Sequence, residues 1–152
     1  MAARCRPACV ALDNLHDSNE VPLTVAVFIN PGTSSSDPLQ RSFEYDTLSP
    51  LYSEFLSSEL LPLVDAACPG ISPDPMKRCI VGASSGGIAA FTVAWHTAGQ
   101  PGGFGRVISH VGSFTNIRGG HNYPWLVRNS KKKPIAKVFL QGGAGKQALS
   151  FI

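Results

Sequence analysis

Residues 79–88 read CIVGASSGGI, an apolar run that breaks into Gly82-Ala83-Ser84-Ser85-Gly86-Gly87 and resumes as GIAAFTVAWH. The run before the glycines has the length and β-branched content of a buried strand, and the run after them has the length and composition of a helix. A serine between two glycines at such a junction must reverse the chain within a residue or two. Gly82 and Gly86, two positions to either side, are the residues that let strand and helix pass without Cβ clashes. Built this way, the turn lifts Ser84 out of the backbone as an exposed nucleophile. Alternatively, Ser84 only caps a helix that starts near Ser85.

The surrounding chain alternates strand and helix patterns. Residues 8–17 fit a short helix, and residues 23–29 (LTVAVFI) form a near-continuous β-branched run that reads as a strand buried on both faces, which implies a parallel sheet. Residues 30–46 read as a polar loop. Leu51, Tyr52, Phe55, Leu56, Leu60 and Leu63 then recur at helical spacing, with Pro62 expected to kink the last turn. After the elbow helix, residues 107–111 (VISHV) and 135–141 (IAKVFLQ) read as strands, and 113–129 as mostly loop. The expected architecture is one α/β domain over residues 1–152, with a doubly wound, mostly parallel sheet and right-handed crossovers. Ligands of such sheets bind beyond the carboxyl ends of the strands, where Asn30, Ser84, Gly112 and Gly142 fall.

Composition narrows the class. With 43% hydrophobic and 15% charged residues in 152, the chain is expected to be globular rather than disordered. No apolar stretch approaches the ~20 residues of a membrane span, and the start MAARCRPACVAL does not make a convincing signal peptide, so no membrane partner and a cytoplasmic location are expected. Residues 1–75 hold three basic and ten acidic groups, whereas 76–152 hold ten basic and no acidic ones. The run Lys131-Lys132-Lys133 comes without any nucleic-acid recognition pattern and is read as a solvated loop, so no nucleic-acid partner is expected. Cys5, Cys9, Cys68 and Cys79 lack zinc-ligand spacing, so neither metal nor cofactor is expected, and Cys79 is read as a core thiol.

An elbow serine needs a base and an acid that follow it in the chain. No carboxylate follows Asp74, and the downstream histidines are His96, His110 and His121. His121, in a loop beyond the strand that ends near Gly112, is the candidate base, with Glu44 or Asp46 to orient it; otherwise it is a loop residue near the pocket. His110 reads as a satisfied core histidine, and His96 as a helix-end cation. Arg41 and Glu44 are candidate substrate-binding groups, the guanidinium holding a carboxylate or carbonyl, or else an ion pair that fixes the loop. Tyr123 and Trp125 either wall an acyl pocket or simply pack.

Five motifs in order resemble the enterochelin esterase-like branch of the α/β-hydrolase superfamily, also called the putative esterase or esterase D family: DNL at 13–15, VFINPG at 27–32, RSFEYD at 41–46, GASSGG at 82–87 and GSFTNIRGGH at 112–121. The resemblance implies Ser84 as nucleophile, the Ser85 N–H as one oxyanion donor and a second near Gly32. It also implies hydrolysis of a small-molecule carboxylic ester through an acyl-serine intermediate. Family members carry an aspartate in the turn after the strand matching VFLQ and a later histidine. Here that strand runs into Gly142-Gly143-Ala144-Gly145, which looks like a truncated or frameshifted member, a partial α/β-hydrolase fold lacking the C-terminal closing elements. An exposed sheet edge is then expected to lower solubility or drive homodimerisation. Without acid and base, activity should fall near the residual set by oxyanion hole and binding, so the alternative is an inactive remnant or ligand-binding module on the same fold.

Overall fold

The computed structural model describes residues 6–33 and 36–142. The chain divides into two compact units, Met1–Asn30 and Pro31–Ile152. In the first, helix α1 (Arg6–Asp17) ends in a turn where Ser18 Oγ donates to the Leu15 carbonyl and contacts Glu20 Oε1 at 3.0 Å.

Residues 23–29 do not form the expected strand. The backbone from 22 to 33 takes no regular structure, and Leu23 is 84% and Phe28 49% exposed. An apolar β-branched run becomes a strand only where a neighbouring strand takes its backbone hydrogen bonds, and the ladder of the described residues does not include this segment.

The second unit begins with α2 (Gln40–Asp46), inside the stretch expected to be loop, and α3 (Leu51–Phe55). A π-helical turn, Leu56–Leu60, joins α3 to α4 (Leu61–Ala67), so the expected helix is present and its irregularity lies just ahead of Pro62. Proline has no N–H to give the carbonyl four residues back, and the wider turn relieves that mismatch.

Among the described residues the sheet has three parallel strands in the order β1 (Cys79–Ala83), β2 (Arg106–His110) and β3 (Lys137–Gln141). Its register sets Ala83 beside His110 and His110 beside Gln141, which brings the carboxyl ends of all three strands to one level. The chain thus has an α/β fold, as its alternating pattern predicts, and a partial one, as the resemblance implies.

Helix α5 (Ser85–Thr97) packs on β1 and β2 and is apolar nearly all round, the pattern of a core helix. Ile88, Ala90, Val93, Ala94 and Val107 are almost fully buried. Over α5 lies an aromatic cluster: Phe91 meets Phe114 edge-on at 5.6 Å and Tyr123 at 5.0 Å. Tyr123 opens a further helix, α6 (Tyr123–Asn129), within the segment expected to be mostly loop. The opposite sheet face is bare, with Val81 58% and Phe139 54% exposed. Cys79 is exposed as well, not the core thiol expected, because no described helix of the second unit covers that side.

Candidate active site

Ser84 is the single joint between β1 and α5, with φ 56° and ψ −122°. A non-glycine residue at positive φ carries strain, which persists only where surrounding bonds over-determine it. Here four do. The Ser84 N–H donates to the His110 carbonyl at 2.9 Å, and the Ser84 carbonyl accepts from Gly87, Ile88 and Ser113 at 2.9, 3.2 and 3.1 Å. Ser84 stands at the N-cap position of α5, but its side chain makes no capping bond and is exposed.

The glycine requirement falls on Gly82, as the spacing suggests, and on Gly87 rather than Gly86. A Cβ on Gly82 would meet the Gly86 carbonyl oxygen at 2.0 Å, and one on Gly87 would meet Ser109 Oγ at 2.7 Å and Gly112 Cα at 2.9 Å. A Cβ on Gly86 would meet nothing within 4 Å.

Ser85 is buried, and its N–H has no partner among the described residues, leaving a donor free at the start of α5. Arg41 Nη1 donates to Ser85 Oγ at 2.9 Å, and the guanidinium lies 5.8 Å from the centroid of the Tyr45 ring. Glu44 does not pair with Arg41. Its carboxylate accepts from the Gly32 N–H at 3.0 Å and from Gln40 Nε2 at 2.6 Å, so the Gly32 N–H is engaged.

His121 sits exposed on a single 3-10 turn, Gly120–Asn122, and no hydrogen bond among the described residues joins it to Ser84 or to a carboxylate. Asp46 is 2% exposed, and its Oδ1 has no partner among the described residues. His110 Nδ1 lies 2.6 Å from Gln141 Oε1 and its ring meets Phe139. His96 has its pKa lowered by burial and further by Lys133, against a smaller opposing effect of Glu54. Tyr123 stands in the core with its hydroxyl 2.6 Å from Thr92 Oγ1, while Trp125 is 64% exposed on α6.

The residue that spacing did not single out is Ser113. Its Oγ lies 3.5 Å from Ser84 Oγ, and its N–H holds the Ser84 carbonyl. Its position just past the carboxyl end of β2 was the available signal. A hollow of about 490 Å³ is lined by Cys79, the first three residues of β2 (Arg106, Val107, Ile108) and the first three of β3 (Lys137, Val138, Phe139).

The sequence profile described as "Putative esterase" matches residues 6–145. The chain belongs to this esterase family. Among solved structures it is similar to the enterobactin esterase FES from Shigella flexneri, determined in the presence of 2,3-di-hydroxy-N-benzoyl-glycine, with 25% identity and a TM-score of 0.65 over 84% of this chain and 32% of that one. The fold is shared with the Shigella flexneri enterochelin esterase at 23% identity and the same TM-score and coverage. The esterase-family chain described here thus spans about a third of the length of these enzymes. No curated protein matches it.

Proposed function

We propose that this esterase-family chain acts on carboxylic esters, with Ser84 as the nucleophile. The observation that carries the proposal is the strained Ser84 backbone at the strand-to-helix joint, with its side chain exposed and the Ser85 N–H free beside it. Ser84 Oγ attacks the ester carbonyl carbon, and the Ser85 N–H stabilises the charge that develops on the carbonyl oxygen. The alkoxy group then leaves with a proton, and water hydrolyses the acyl-serine. His121 is the assigned proton carrier. Its neighbour Gly120 packs so closely under the Ser84 clamp that a Cβ there would meet the Ser113 carbonyl oxygen at 2.7 Å and Ile88 Cδ1 at 2.8 Å. Likeness to an enterobactin esterase favours esters of aromatic, catechol-bearing acids as the substrate class.

A catalytically silent ligand-binding role is favoured by one observation: no carboxylate or imidazole lies within hydrogen-bond distance of Ser84 Oγ among the described residues. Hydrolysis of a short-chain p-nitrophenyl ester by the 152-residue chain, beside Ser84→Ala and His121→Ala, separates the two. Activity lost in both variants supports the esterase with His121 as base. Equal rates for wild type and Ser84→Ala would leave the silent module.

A further inference from the structure

We infer that Ser113 is a positioning residue for the Ser84 nucleophile, held in place by a strained turn at the end of β2. The inference rests on Ser84 as the reactive group. Val111 has φ 43°, a region that β-branched side chains enter only under constraint. The constraint is visible: the Val111 N–H donates to the Gln141 carbonyl at 2.7 Å, tying the turn to the end of β3. A Cβ at the next residue, Gly112, would meet Ser109 Oγ at 2.5 Å and Phe114 Cε2 at 2.6 Å, so any side chain there must displace both.

Together these features turn the chain back over the elbow instead of letting it run on beyond the sheet. The result is a three-point grip on Ser84. The His110 carbonyl takes its N–H at 2.9 Å, the Ser113 N–H takes its carbonyl at 3.1 Å, and the Ser113 hydroxyl reaches its Oγ at 3.5 Å. The last distance is longer than an ordinary hydrogen bond between two hydroxyls, as is common before substrate tightens a site. On closer approach with Ser113 as donor, a Ser84 lone pair is engaged, the Oγ rotamer is restrained, and the Ser84 proton is left pointing outward for a base.

The backbone part of the grip survives in Ser113→Ala, which removes only the hydroxyl. The test is the rate at which a fluorophosphonate probe labels Ser84 across pH 6–9 in wild type, Ser113→Ala and Ser113→Thr, with Ser84→Ala as blank and thermal midpoints measured in parallel. The expected result is labelling about tenfold slower in Ser113→Ala, the effect of one hydrogen bond, with unchanged melting. Ser113→Thr should return to within about twofold of wild type, which a purely structural role would not require. Wild-type labelling that Ser113→Ala matches would overturn the role of Ser113 and leave Ser84 as nucleophile. Absence of Ser84-dependent labelling in folded wild type would overturn both.

Discussion

The guanidinium of Arg41 donates to the hydroxyl of Ser85 at 2.9 Å, across 44 positions of sequence. It ties α2 to the first turn of α5, and Ser85 is 6% exposed at that point. Arg41→Ala is expected to leave a buried hydroxyl unpaired and to cost about 1–3 kcal/mol. Lysine lacks the planar fork, so Arg41→Lys should recover less than half of the loss. Urea unfolding of the three proteins measures this; equal midpoints for wild type and Arg41→Ala would show that the bond adds nothing to stability.

Gly82 and Gly86 should behave oppositely despite their symmetric placement about Ser84. Gly82→Ala drives a Cβ to 2.0 Å from a backbone oxygen, and overpacking of this kind costs at least about 1–3 kcal/mol. Gly86→Ala meets nothing and should change stability by less than about 1 kcal/mol, with a gain in helix propensity. Thermal denaturation of both variants decides it, and equal losses would contradict the packing described.

Tyr123 predicts an alkaline weakness. Burial pushes its phenol from 10.0 up to about 12, opposed in part by the hydrogen bond with Thr92. Between those values the unfolded chain releases the proton and the folded one keeps it, so stability is full below about pH 10 and falls as pH rises toward 12. Tyr52 and Tyr45, also raised chiefly by burial, act in the same direction. Tyr123→Phe should flatten this fall while costing about 1 kcal/mol at neutral pH, because Thr92 Oγ1 loses its partner. Chemical denaturation at pH 7 and pH 10.5 reads both effects.

We propose that the bare side of the sheet supports self-association. Among the described residues β1 and β3 each pair on one side only, and Val81 and Phe139 are exposed on them. Unpaired edges with apolar side chains recruit further chains, and a charge placed on them blunts the effect. Light scattering should give a mass above that of the monomer, reduced by Val81→Lys. A monomer at micromolar concentration in wild type would end the proposal.

The three strands of the sheet and the helix after the elbow were legible in the sequence because each is a continuous apolar run whose partners are its own neighbours in the βαβ order. Helices α2 and α6 were not, since seven residues are too few to show a helical period and both lie in polar surroundings. Residues 23–29 failed for the opposite reason: the local pattern is strong, but strand formation is decided by a neighbour. At the site, Ser84 followed from its flanking residues. Ser113 did not, because its contact depends on Val111 adopting a backbone angle that its own side chain disfavours.

The wide turn at Leu56–Leu60 also fixes how this stretch tolerates changes in length. Leu61 donates its N–H to the Leu56 carbonyl, five residues back, so the turn holds one more residue than a regular one while α3 and α4 keep their facing. Excising a single residue there, such as Ser58, would leave Leu56 pointing into the core, whereas excision within α3 would roll it toward solvent. The shortened helix would, however, bring the Pro62 ring against the carbonyl four residues back. Length and proline are therefore linked: a deletion at this turn succeeds only together with replacement of Pro62.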